Sequence, residues 1–271
     1  MKIIRIRRSP ESNWAGRTIM RIITLSFCLF IIASVCAAEE TAYFDWKGLK
    51  SYAAKNYPES LIYFDKAIEQ DPNYVDAWVH KGDAQRAQKD YNASLESYGG
   101  ALRRKNDSTP AWSGLIEAYA ALNDYMKASE AAARLTEIEP ARKENWLREG
   151  NMLQMQGSYE EALSRYDRAI EIDPRYKDAL YRKGLSLLAL GNESGALEQF
   201  EKVIVLDPAY KLAYNAKGLA LQAEGRYEEA NEAYGDTQRI DARWSQPVIN
   251  QVHALLALDR TQEAMKLSVT T

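Results

Sequence analysis

The 271-residue sequence predicts an all-α fold built by repeating one helical pair. Three observations predict it. Glycine falls at 48, 82, 150, 184 and 218 and proline at 72, 140, 174 and 208, so both series step by 34 residues or twice that. One column of small residues runs without a break through Ser60, Ser94, Ala128, Ala162, Ala196 and Ala230. Aromatic columns keep the same lag. Tyr57, Tyr91, Tyr125, Tyr159 and Tyr227 form one, with Glu193 the exception; Phe64, Tyr98, Tyr166, Phe200 and Tyr234 form another, broken by Ala132; Phe44, Trp78, Trp112, Trp146, Leu180 and Tyr214 form a third. Agreement of independent columns at one fixed lag marks stacked supersecondary units.

The chain opens differently. Residues 1–38 carry six basic side chains (Lys2, Arg5, Arg7, Arg8, Arg17, Arg21) and one acid, Glu11, while the whole chain is −3, so the remainder is about −8. After Arg21 come fourteen mostly apolar residues, Ile22 to Val35, then small residues and Glu39-Glu40. A basic start, a short apolar run and a small-x-small site describe a signal peptide. Val35-Cys36-Ala37 or Cys36-Ala37-Ala38 supplies the site, and Met20 is a candidate true start. Cleavage fits this pattern best. Retention as an anchor and lipid modification at Cys36 stay open, although the run reaches only seventeen residues through Ala38, against about 18 for a spanning helix. Each fate places the body outside the cytoplasmic membrane, secreted or on its outer face. Cys28 and Cys36 are the only cysteines, so the body has no disulfide, cysteine-ligated zinc or thiol nucleophile. Its acidic balance argues against nucleic-acid binding.

The first helix of a unit contains Lys-Gly, as at Lys47-Gly48, Lys81-Gly82 and Lys183-Gly184. Glycine inside a helix costs about 1 kcal/mol relative to alanine and is tolerated where another helix approaches closely. The expected neighbour is the small-residue column of the second helix, with aromatics filling the space around that contact. In the second helix at 159–172, Tyr159, Ala162, Tyr166 and Ala169 face the core, after a turn at Gly157-Ser158. Asp71, Asp173 and Asp207 precede prolines that stop the helix, because proline lacks an amide donor and disfavours helix in the residue before it. Two places break the register. Gly99-Gly100 lie in a second helix, where drift is the favoured reading over a hinge, and Arg103-Arg104-Lys105 read as a solvated last turn that complements the helix dipole. The last unit stops early, and Leu255, Leu256 and Leu258 are expected to be incompletely covered, a surface for self-association or a frayed end.

A 34-residue helix–turn–helix period with this pattern resembles the tetratricopeptide repeat (TPR) family, over Thr41 to the C-terminus. Residues 1–38 are then the leader or anchor and 39–271 the repeat domain, with units 41–74, 75–108, 109–142, 143–176, 177–210 and 211–244 and a partial seventh at 245–271. The resemblance implies a right-handed superhelix whose first helices line a concave wall. It also implies a non-catalytic adaptor that holds a protein or peptide on that wall; the alternative is an accessory subunit of an envelope enzyme that assembles cell wall or surface glycan.

Chemistry is otherwise sparse. His80 and His253 lie in different units without sequence neighbours that complete a metal or acid–base site, and no phosphate loop, dinucleotide fingerprint or nucleophile elbow occurs. No enzyme activity, cofactor or metal is expected. Glu160-Glu161 and Glu228-Glu229 are adjacent, so they cannot face one another on a helix and read as charged first turns. Family members that grip a peptide's terminal carboxylate carry lysine at the fifth position of a unit. Here those positions are Asp45, Val79, Ser113, Leu147, Tyr181 and Asn215, which excludes that mode. The register places Asp45, Asp83 and Glu117 in the first half of the wall and Arg148, Asn151, Arg182 and Asn215 in the second. The expected partner is basic toward one end and acidic toward the other.

Overall fold

A computed structural model of the protein describes Met20 and residues 38–269. The apolar run at 22–35, both cysteines and the cleavage site lie outside the described residues. Among the described residues no helix is long and apolar enough to cross a membrane.

Helices alternate between 13 and 14 residues with little exception. The first is α1 at 38–53. There follow α2 (Tyr57–Gln70), α3 (Val75–Ala87), α4 (Tyr91–Arg104), α5 (Thr109–Ala121), α6 (Tyr125–Ile138) and α7 (Lys143–Gln156). The rest are α8 (Tyr159–Ile172), α9 (Lys177–Ala189), α10 (Glu193–Leu206), α11 (Lys211–Ala223), α12 (Tyr227–Ile240), α13 (Ser245–Ala257) and α14 (Thr261–Val269). The described residues contain no strand. The chain forms two compact bodies, the first ending at Ala111 and the second beginning at Trp112. In the first, α3 packs on both α2 and α4. In the second, consecutive helices pack from α6 to α14, and odd-numbered helices also touch across the pairs, α7 on α9, α9 on α11 and α11 on α13.

The turn inside each pair recurs with the period. Its last residue is left-handed at Lys55, Lys89, Asn123, Gly157, Gly191, Gly225 and Asp259. Asp90, Asp124 and Asn192 then cap the following helix by accepting from the amides of Ala93, Lys127 and Gly195. Second helices end at an extended aspartate whose carboxylate accepts from an amide two residues on, at Asp71, Asp173, Asp207 and Asp241. In three units that carboxylate also takes the lysine opening the unit's first helix, each at 2.5 Å: Lys143–Asp173, Lys177–Asp207 and Lys211–Asp241.

Phe64, Tyr98, Tyr166, Phe200 and Tyr234 are fully buried, as are Ser60, Ser94, Ala128, Ala162, Ala196 and Ala230. The glycine column nests against the rings, not against the small residues as expected. A Cβ at Gly82 would lie 2.6 Å from Tyr98 Cε1, and one at Gly184 2.5 Å from Phe200 Cε1. The reason is helical geometry. Ring and small residue stand four positions apart on one face, so the ring reaches over the turn and fills the gap left by the glycine.

Gly100 is likewise a packing requirement and not drift. A Cβ there would lie 2.5 Å from Trp78 Cε3, whereas Gly99 has room. The Trp78 indole N–H donates to the Pro72 carbonyl at 3.0 Å. Arg104 lies over that ring, 4.3 Å from its centroid, and also donates to the Pro72 and Gly100 carbonyls. Arg104 is therefore a stacking residue, while Arg103 and Lys105 are exposed. In the last unit Leu255 is buried and Leu256 is exposed. The paired glutamates sit in first turns, at α8 and α12.

Candidate partner-binding wall

First helices place the second, fifth, sixth, ninth, twelfth and thirteenth residues of a unit on one face, because these recur every three or four positions. All seven residues expected on the wall belong to this set. Asp45 and Asp83 are in the first body, and Glu117, Arg148, Asn151, Arg182 and Asn215 are in the second.

In the first body both acids are occupied by the fold. Asp45 is buried, and its Oδ1 lies 2.8 Å from His80 Nδ1. It does not reach solvent as a partner-binding group must. Burial pulls the His80 pKa down, but the hydrogen bond it donates to Asp45 and the charges of Asp45, Asp83 and Asp76 outweigh it, so the pKa is raised. Asp83 accepts from the Tyr98 hydroxyl at 2.7 Å and has Arg86 at 3.5 Å. Burial, then that hydrogen bond, holds the Tyr98 phenol well above its ordinary value. His80 thus has the convergent partner that no sequence neighbour supplies. The signal is a lag of 35: the fifth residue of one unit meets the sixth of the next. The same step sets Asn250 Nδ2 3.2 Å from Asn215 Oδ1.

In the second body Glu117 is exposed, Arg148 half-buried and Arg182 exposed. Asn151 accepts from the Tyr166 hydroxyl at 3.1 Å. Arg182 lies close enough to Tyr166, Tyr181 and Tyr210 to favour their ionised forms. Burial prevails at Tyr210, whose pKa is pushed up to about 12. Neither Arg148 nor Arg182 has a salt bridge among the described residues. The wall also carries apolar side chains that the search for charge passed over. Met155, Leu212, Leu219, Ile249 and Leu256 are exposed on α7, α11 and α13 at wall positions. Their column types were legible in the sequence; that they stay uncovered was not.

One buried carboxylate lies off the wall. Glu149 takes the place that lysine holds in four other units, is buried, and accepts from Arg165 at 2.5 Å and Thr136 at 2.8 Å. Among the described residues no three His, Cys, Asp or Glu side chains converge as a metal site would need.

Family models for the TPR or tetratricopeptide repeat match residues 63–96, 85–148, 150–191 and 181–242. Together they run from 63 to 242 with Glu149 alone outside. The chain belongs to the tetratricopeptide-repeat family. No curated protein matches this TPR chain in sequence. Solved structures do match in fold. A tetratricopeptide repeat protein from Parabacteroides merdae is 16% identical, with a TM-score of 0.68 over 83% of this chain and 89% of that one. PilW, described as a widely conserved type IV pilus biogenesis factor, is 19% identical, with 0.62 over 72% and 91%. YrrB, described as a TPR protein with an unusual peptide-binding site, is 21% identical, with 0.58 over 70% and 96%. At these identities the likeness is one of fold: an all-helical α-solenoid of TPR pairs, the class that acts as protein–protein interaction scaffolds.

Proposed function

We propose that this TPR protein is an exported, envelope-associated adaptor without catalytic activity, and that it holds an extended peptide or partner helix on the first-helix wall of its second body. One observation carries the reading. Arg148 and Arg182, without carboxylate partners among the described residues, hold wall positions on α7 and α9, and exposed Leu212, Leu219, Ile249 and Leu256 hold wall positions on α11 and α13. Guanidinium groups recognise carboxylates, and exposed leucines recognise apolar anchors. The partner segment is therefore acidic over α7 and α9 and apolar over α11 and α13. Asn151 and Asn215 supply amides between the two, and Glu117 begins the wall on α5. Asp83 marks the corresponding face of the first body, and Asp45 supports it from beneath through His80. Export rests on the leader pattern at 21–38 and is checked by N-terminal sequencing of the mature chain.

The groove is tested with a photo-crosslinking residue in living cells, placed at Arg182 and, as a control on a second helix, at Glu198. A discrete adduct at 182, absent at 198 and lost on Arg148→Ala with Leu219→Ala, is the expected result. Equal adducts at both positions, or none at either, would remove the groove proposal.

A further inference from the structure

Among the described residues, the α1 edge of the first unit has no preceding helix packed on it. In α3 and α11 that edge is small and dry: Ala77 and Ala84 of α3, and Ala213 and Ala220 of α11, are fully buried where each helix meets the second helix before it. The equivalent residues of α1 are Tyr43 and Lys50. A polar cap is the usual end of a repeat array. Here the exposed stripe reads Ala42, Tyr43, Trp46, Leu49, Lys50 and Ala53, spaced as one helix face. Tyr43 is 48% exposed and Trp46 55%, and the two rings stack 6.2 Å apart.

The charges at this edge differ from those elsewhere. Lys81, Lys183 and Lys217 are neutralised across units by Asp65, Asp167 and Glu201 at 2.6, 2.6 and 3.0 Å. Lys47 holds the same position in the first unit and has no such acid among the described residues. It lies over Tyr43 and Tyr63, 4.8 and 5.2 Å from their centroids. Lys50 lies 5.6 Å over Trp46, and Lys66 5.7 Å over Tyr63. None of these three lysines has a salt bridge among the described residues.

Tyrosine and tryptophan beside lysine, on an apolar stripe, are the side chains that settle at a lipid–water interface. The rings sit at headgroup depth, and the ammonium groups reach anionic phosphates. Two residues separate the apolar run at 22–35 from α1, so, resting on the export reading proposed above, the sequence presents this edge beside the segment that meets lipid during export. We propose that the α1 edge, through Tyr43, Trp46, Lys47 and Lys50, is a docking surface for an anionic membrane. This inference is independent of the wall in the second body. Trp46 stands at the corner between edge and wall face, which makes it the reporter.

The full chain is reconstituted into phosphatidylcholine vesicles with and without phosphatidylglycerol, and the Trp46 signal is isolated by subtracting the emission of Trp46→Phe. Lipid brominated near the headgroup is expected to quench this signal when phosphatidylglycerol is present. At roughly fivefold per lysine at an anionic surface, Lys47→Gln with Lys50→Gln lowers its docked-to-free ratio about thirtyfold. Lys50 is exposed and Lys47 half-buried, and a circular dichroism melt checks that the double variant keeps its fold. Quenching that ignores both phosphatidylglycerol and the lysines reflects the tether alone and overturns the proposal. Shielding of Trp46 from aqueous iodide that grows with protein concentration in the absence of lipid also overturns it, and marks an interface between copies.

Discussion

Seven left-handed residues close the turns inside the helical pairs, and the chain does not treat them alike. Three are glycine, but Lys55 and Lys89 hold φ of 59° and 65°. An L side chain in this region costs about 1–2 kcal/mol, and glycine's extra unfolded entropy returns roughly half of that. Lys89→Gly should therefore raise stability by about 0.5 kcal/mol, and Gly191→Ala should lower it by roughly 1 kcal/mol, both readable as opposite shifts of the urea midpoint. His80 carries a second residue-level expectation. A raised pKa means that its interaction with Asp45 is fully present below the unfolded value of 6.5 and is lost as pH rises through the folded value. The groups that face it are Asp45, Asp76 and Asp83, with Tyr74 close to the same Asp45 carboxylate. The wild-type melting temperature should fall between pH 6 and pH 8, and His80→Asn should flatten that fall. A slope that survives the substitution would assign it to other groups.

Helix pairs are locked at two places, a ring in a glycine notch and a clasp between helix ends. In the notch, Gly184→Ala pushes a methyl into the Phe200 ring. Overpacking of this kind costs about 1–3 kcal/mol, and Phe200→Leu should recover part of the loss in the double variant. Additive losses would mean that the two residues do not share the notch. The clasp joins Lys143, Lys177 and Lys211 to Asp173, Asp207 and Asp241. The lysine hydrogen bond, with a backbone amide, holds each of these carboxyl pKa values below the ordinary 3.8. Their contribution is present above about pH 4 and disappears as pH falls through the lowered values. The wild-type melt should therefore drop between pH 5 and pH 3 more steeply than that of a triple Asp→Asn variant. Equal slopes would show the clasps to be screened surface pairs.

The molecule as a whole is an array, so stability is a sum of unit and neighbour terms and damage stays local. Hydrogen exchange on Gly184→Ala should rise in α8 to α12 and change little in α2 to α4. A uniform rise would mean that the array unfolds as one cooperative unit. Much of this architecture was legible in advance. The columns at 48, 60, 64 and 72 and their repeats sit at one lag, and a core residue needs only its period to be recognised. The same reading misassigned two partnerships. It set the glycines against the small column and took Gly100 as drift, because periodicity says that a residue faces inward without saying which neighbour it meets.

The amino-acid order by itself determined the helical pairs, their period, the buried columns and the family, since each depends on a pattern repeated along the chain. The tertiary structure alone decided which polar groups stay available. Asp45 is turned to His80 and Asp83 to Tyr98, while Arg148, Arg182 and the lysines at the α1 edge carry no salt bridge among the described residues. The physical reason is that polar contacts between units run at lags such as 16, 32 and 35, and the clasps inside a unit at 30, rather than at 34. A charge is satisfied or left open by the one side chain that packing brings within reach, and that depends on direction in space.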